Sequence, residues 1–297
     1  MNHVTEPDRV RPPLWILAAP AVFVVLWSTG FIGAKLGLPY APPFTFLVLR
    51  FAIAAVLLAA VAAVAGAPWP RTWADVGNAA LVGVLIHAVY IGGVFSAIHR
   101  GMPAGVASLI VGLQPVLTAV LARPYLGERV TAKQWAGLVI GLAGVILVVA
   151  NKLQFEQGHI VGVLFTLGSL LGITIATLHQ KRHGAGMDLR SGAAIQFAAA
   201  TIAMAIPALL FETMTVQWTG EFIFALGWLV LVLSLGAVTL LYGIIRRGAA
   251  AKVASLFYLV PPVTALIAYF LFGETLGPMA IAGMAMAVAG VALVTRS

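Results

Sequence analysis

Apolar residues in this chain fall into long unbroken runs separated by short clusters of charge, glycine and proline, with little of the two-residue alternation that marks a half-buried strand. Ten runs stand out, at 14–36, 44–66, 77–98, 104–122, 134–150, 160–178, 191–211, 222–244, 253–272 and 278–295. Their lengths of 17 to 23 residues suit a helix rising 1.5 Å per residue through a hydrocarbon slab about 30 Å thick. The pattern therefore predicts an all-α membrane protein with ten transmembrane helices. Arg9 and Arg11 ahead of the first run also suit a secretory leader, but the run is longer than a leader's apolar core and is expected to stay as a helix. The connections hold about a dozen residues or fewer, which leaves no soluble domain for a nucleotide-driven motor.

Composition agrees with this reading. With 62% hydrophobic residues, 9% charged and a mean hydropathy of +1.05, the 297 residues carry too little polar surface for a soluble globule. The absence of cysteine removes disulfides, thiolate metal sites and cysteine nucleophiles, and neither a phosphate-binding loop nor an H-E-x-x-H pair is present. No metal and no cofactor are expected. Charge placement then gives a topology. With the N-terminus in the cytoplasm, thirteen of the seventeen basic residues (Arg9, Arg11, Arg71, Arg123, Arg129, Lys133, Lys181, Arg182, Arg190, Arg246, Arg247, Lys252, Arg296) fall on the inner side. Only Arg100 and Lys152 fall outside, while Lys35 and Arg50 lie within or at the edge of runs. This asymmetry predicts both termini in the cytoplasm and explains the net charge of +8 without nucleic acid.

The chain also repeats itself. "IHRGMPAGVASL" from Ile98 lies over "IRRGAAAKVASL" from Ile245, a constant offset of 147. "ASLIVGLQPV" continues over "ASLFYLVPPV", so that Pro115 meets Pro262. After one dropped residue, "LGE" at Leu126 to Glu128 meets "FGE" at Phe272 to Glu274, then Gly137 meets Gly283 and Gly144 meets Gly290. Composition alone does not hold register over about fifty residues, so the match marks a duplication into 1–152 and 153–297. Each copy holds five runs, and an odd number turns the second copy upside down in the bilayer. Such inverted repeats place a solute site near the midplane, between the copies.

The residues that carry a family likeness are "LWSTGFIGAK" at Leu26 to Lys35, "RF" at Arg50 and Phe51, "ASL" followed by a proline, and "LGE" with Thr131 and Gly137 downstream, together with the second set from Ala254 to Gly290. On these the chain resembles the drug/metabolite transporter superfamily, with two EamA-type repeats, and is similar to the YddG-type bacterial amino-acid exporters. The resemblance implies a metabolite exporter of the bacterial inner membrane whose partners are a small-molecule substrate, amino acids, and the lipid bilayer.

Candidate pathway residues follow from polarity inside the runs. Paired prolines remove backbone donors at matching places, so Pro115 and Pro262 point to a pathway unless they are kinks alone. Gln114 beside Pro115 needs a partner helix or a cavity. His87 lies mid-run with Tyr90 one turn on and Val94 continuing that face. Ser108 and Ser255 are equivalent, Tyr258 shares the face of Ser255, and Trp27 with Ser28 opens the family-like stretch. Arg50, about two turns from a helix end, has no acidic residue inside any run to answer it; helix-end carbonyls, Glu274 or a substrate carboxylate are the candidates, with a structural role foremost. Lys35 and Arg50 are thus read as structural or gating. Gly137, Gly141 and Gly144, with Gly283 and Ala287, allow close backbone approach, either between moving helices or between two copies of an otherwise monomeric protein.

A channel would want a charged ring or a carbonyl filter, and an enzyme would want partners for His87; neither is evident. Export by alternating access is favoured, with weak or no ion coupling because no carboxylate lies within the bundle, and proton-coupled efflux of drugs or other metabolites is the alternative. The expected lining (Trp27, Tyr90, Phe257, Tyr258, Met284) suits neutral amino acids with apolar or aromatic side chains. The topology has a direct check, since the natural chain lacks cysteine. Cysteines placed at Thr215 and Gly277 are expected to react with an impermeant thiol reagent applied outside, and one at Gly186 is not. Labelling in the reverse pattern overturns the charge argument.

Overall fold

The computed structural model describes residues 14–102, 107, 110–150, 160–272 and 277–296. Among these every regular element is helical, as lipid demands: without water, backbone groups are satisfied only within a helix or a closed barrel. In chain order the helices are α1 (Leu14–Gly37), α2 (Pro43–Val64), α3 (Trp73–His99), α4 (Gln114–Leu126), α5 (Ala132–Ala150), α6 (Ile160–His183), α7 (Leu189–Phe211), α8 (Gly220–Arg247), α9 (Ala250–Ser255 and Val260–Phe272, joined by a 3-10 turn at Leu256–Leu259) and α10 (Pro278–Thr295). Eight stretches are long and apolar enough to cross a membrane by themselves; the apolar part of α5 is shorter, and α4 has only 13 residues.

Boundaries differ from the sequence reading at several places. Helix α3 begins at Trp73 rather than 77, α6 runs to His183 rather than 178, α8 to Arg247 rather than 244, and the fourth run is interrupted by a turn at Gly112 and Leu113, after helical residues at Ile110 and Val111 and before α4 at Gln114. The extensions carry polar or charged residues, because helical hydrogen bonding does not stop where the apolar run does. Local chemistry sets the true ends. Thr131 and Gln134 form a reciprocal cap at the start of α5, with Thr131 N–H donating to Gln134 Oε1 (2.9 Å) and Gln134 N–H to Thr131 Oγ1 (3.2 Å). Thr72 and Thr219 cap α3 and α8. Asp188 caps α7, and the guanidinium of Arg190 beside it holds that carboxyl down at about 2. The "LGE" motif is such a device: Gly127 ends α4 at φ 72°, a left-handed turn that favours glycine, and Glu128 accepts the N–H of Ala250 at 2.8 Å where α9 begins.

The two five-helix repeats are inverted, and the packing shows it directly. A Cβ on Gly137 would lie 2.7 Å from the carbonyl oxygen of Gly290, and one on Gly144 would lie 2.5 Å from the nitrogen of Ala287. Ascending α5 therefore means descending α10: equivalent helices run antiparallel, as a twofold axis in the membrane plane requires. Helices α2 and α7 form the second self-equivalent pair, joined at one end by Glu212 to Thr45 and at the other by Ser191 to Pro68. The remaining contacts also come in equivalent pairs. Helix α3 packs on α6 as α8 packs on α1, and α4 on α6 as α9 on α1.

The small residues of α5 and α10 thus meet inside one chain and not at a face between copies. A single added methyl separates the consequences. Gly144→Ala and Gly290→Ala meet facing backbone at 2.5 Å and are expected to lose roughly 1–3 kcal/mol, whereas Gly168→Ala, with nothing within 4 Å, is expected to be neutral or to gain up to about 1 kcal/mol. Thermal unfolding in detergent checks this; equal behaviour of the three variants contradicts the seam.

Candidate functional site

A cleft opens between the two halves, walled by α1 (Trp27, Gly30, Phe31, Ala34), α2 (Arg50), α3 (Tyr90, Ile91, Val94, Phe95) and α8 (Leu233). The space between their atoms, counting its open mouth, is about 440 Å³. A wider recess of about 740 Å³ near Trp69, Arg71 and His183 is built of loop and helix-end residues on one flank and lies away from the axis between the repeats.

The cleft exists because two helices are locally unwound there. Val84–Ile91 in α3 and Leu229–Ala237 in α8 are π-helical, at nearly equivalent places in the two repeats. Hydrogen bonds of the i to i+5 kind widen the turn, as between Gly92 N–H and His87 C=O, and wide turns of this sort recur at functional sites. Close approach from α1 completes the wall: a Cβ on Gly30 would lie 2.6 Å from Leu233 and one on Gly33 2.8 Å from Leu229.

Aromatic rings dominate the wall. Trp27 and Tyr90 lie parallel, 1° apart in plane, with centroids 6.5 Å apart, and Phe257 meets Trp27 edge-on at 5.6 Å. Among the described residues the only charged group in the wall is Arg50, 2% exposed, whose Nε donates to Ser234 Oγ at 3.2 Å. Ser234 in turn donates to Leu229 C=O at 3.0 Å, a bond set up by the π segment.

Below this wall the bundle is shut. His87 is fully buried, stacked on Phe197 at 4.1 Å and flanked by Phe51, with Tyr242 Oη 3.4 Å from its Nε2 and no partner for its Nδ1. Further along, the helix ends at that side are knit together by charge. Lys181 donates to Gly248 C=O and sits 3.8 Å from Glu128, Arg246 donates to Gly184 C=O at 2.7 Å, and Arg182 reaches Tyr125 C=O.

Of the residues singled out from sequence, the cleft brings together Trp27, Tyr90 and Arg50. Three others are held elsewhere: Ser28 bonds Val24 C=O and, at 3.3 Å, Val260 C=O; Ser255 bonds Lys252 C=O; Gln114 donates to Thr118 at 3.2 Å and leaves its Oε1 unpartnered. Tyr258 packs over Gly141, its hydroxyl unpartnered. Lys35 is exposed in the last turn of α1. Ser108 and Glu274 lie outside the described residues.

Two expectations need correcting. His87 does not share the face of Tyr90 and Val94 that lines the cleft, because in a π segment a step of three residues no longer returns to the same stripe. Pro115 does not kink a continuous helix: it occupies the first turn of α4, where its missing donor costs nothing, and Pro262 likewise follows the 3-10 turn in α9. Neither proline lines the cleft. Ser234 was missed, since a serine in a long apolar run carries no signal until its partner is known; its one legible hint is that polar side chains in lipid want bonding partners.

The model of the EamA-like transporter family matches residues 13–150 and again residues 160–296. The chain belongs to the EamA-like transporter family. Among relatives, the uncharacterized transporter YvbV of Bacillus subtilis is 30% identical over 92% of this chain and 89% of its own. A "Probable terminal-alkyne amino-acid exporter" of Streptantibioticus cattleyicolor is 30% identical over 97% of this chain and 95% of its own. A crystal structure of another protein superposes with a TM-score of 0.78 over 94% of this chain and 96% of that one, at 20% identity, a match of fold alone. The seam, the cleft and the paired π segments are thus features of an EamA-type transporter.

Proposed function

We propose that this EamA-type protein exports neutral amino acids with apolar or aromatic side chains across the bacterial inner membrane. Both termini lie in the cytoplasm, and the repeats, 1–152 and 153–297, rock about the central cleft. The observation that carries the reading is that cleft: a wall of aromatic and aliphatic side chains with a single cation, set between inverted repeats. A relative with an amino-acid exporter's name supports the solute class. On the topology given by the basic residues, the end knit together by Glu128, Lys181 and Arg246 is cytoplasmic, so the described arrangement is closed to the inside.

Transport is facilitative in this reading. The acidic side chains placed by the structure sit at helix ends and loops: Glu212 on the first-turn amides of α2, Glu221 on the Tyr40 hydroxyl, Asp188 on Arg190 and Glu128 on α9. Solute accumulated in the cytoplasm then supplies the driving force. A second reading, proton coupling, is favoured by one observation, the unpartnered Nδ1 of the buried His87.

Flux in proteoliposomes decides between them. Phenylalanine efflux is expected to exceed that of lysine or glutamate clearly, and an imposed proton gradient is expected not to drive uphill accumulation. His87→Gln keeps a neutral donor and acceptor and is expected to retain part of the transport. Concentrative transport that vanishes when the gradient is collapsed, and that His87→Gln removes, establishes the second reading instead.

A further inference from the structure

Arg50 is an unusual cation to seal inside a membrane protein. Its guanidinium offers five N–H donors, yet only Nε has a hydrogen-bond partner among the described residues, and that partner is the neutral hydroxyl of Ser234. The neighbouring ring of Phe51 lies 5.6 Å from its central carbon and offers no counter-charge. The acidic residues described at the same end of α2 are engaged elsewhere, Glu212 by three bonds from Phe44 and Thr45 and Glu221 by Tyr40. The residue as a whole is 98% buried, yet its unbonded nitrogens are not among the fully buried atoms that lack partners, so they keep access to the cleft, whereas a purely structural arginine is normally bonded throughout. The guanidinium forms part of the cleft wall, beside Trp27 and Tyr90.

We propose that Arg50, steadied through Nε by Ser234, receives the carboxylate of the transported solute, so that the cleft selects monocarboxylates carrying an apolar or aromatic body. This rests on reading the cleft as the solute site. The fit is chemical: the nitrogens that Ser234 does not engage supply the planar fork that a carboxylate accepts in pairs, while the body of the solute lies on the aromatic wall. The arrangement also links loading to movement. Solute turns a bare buried cation into a bonded ion pair, which lowers the cost of closing the cleft. The loaded carrier therefore reorients more readily than the empty one, and exchange of internal for external solute outpaces net efflux.

The test is a binding series on the full-length protein in detergent, read by quenching of tryptophan fluorescence, with phenylalanine, 3-phenylpropanoate and phenethylamine as probes. In the natural protein 3-phenylpropanoate is expected to bind within about tenfold of phenylalanine, and phenethylamine at least about tenfold more weakly, the size of a charge-assisted bond. Arg50→Gln is expected to abolish the difference between phenylalanine and phenethylamine. Ser234→Ala is expected to weaken phenylalanine several-fold and leave phenethylamine unchanged. If Arg50→Gln does not fold, the analogue series and Ser234→Ala decide by themselves. Equal binding of phenylalanine and phenethylamine overturns the role of Arg50 while leaving the solute site standing. Absence of binding by all three probes removes the solute reading itself. Competition by inorganic phosphate as strong as by 3-phenylpropanoate, or a loss in Glu274→Gln equal to that in Arg50→Gln, also overturns the assignment, the first in favour of a phosphate solute and the second in favour of an internal counter-ion.

Discussion

In a bilayer the apolar environment outside the protein is as favourable to leucine as the interior, so helices must be drawn together by packing and by hydrogen bonds. Here that constraint is met at the α5–α10 seam, where Gly137, Gly144, Gly283 and Gly290 bring two backbones into contact at distances no side chain tolerates. The seam is self-equivalent under the inversion: Gly137 and Gly144 on α5 face the descending copy of their own helix. One small-residue pattern, written twice by duplication, thus supplies both surfaces of the contact and fixes how the repeats face one another. The α2–α7 pair repeats the logic with polar clasps at its ends, and α2 itself contributes Arg50 to the cleft wall.

Irregular backbone is the other half of the design. Lipid penalises any unpaired amide, so departures from the α-helix are confined to the interior. The π segments of α3 and α8 both border the cleft, and the 3-10 turn of α9 carries Phe257, which packs on Trp27. The prolines serve this arrangement from outside the cleft by allowing α4 and the second part of α9 to restart cleanly.

Much of this was legible in the sequence. Run lengths gave the helices, the constant offset gave the repeats, and glycine spacing gave a seam, because each depends on composition or on simple counting. What was not legible depends on register. The i to i+3 rule that put His87 beside Tyr90 fails inside a π segment, and nothing in "VLIHAVYI" announces one. The prolines suggested a kink, but whether a proline breaks a helix or begins one depends on the turn before it, at Gly112 and Leu113 in α4 and Leu256–Leu259 in α9. Ser234 became meaningful only when the fold set Arg50 against it, 184 residues away in the chain.

The placement of charge ties these elements to transport. Polar clasps at the end bearing Glu128, Lys181 and Arg246 link α4, α6, α8 and α9, elements drawn from both repeats, through bonds that exchange readily with water. Such bonds stabilise one closure modestly and cost little to break, unlike the backbone seam at α5–α10. In the proposed alternating access, the inversion lets the other end close in the equivalent manner, and the two states differ by which set of weak clasps is made while the glycine seam persists in both. In that proposal Arg50, the one charged side chain among the described residues of the cleft wall, is the strong electrostatic term, and what answers it decides how easily the halves close over a solute.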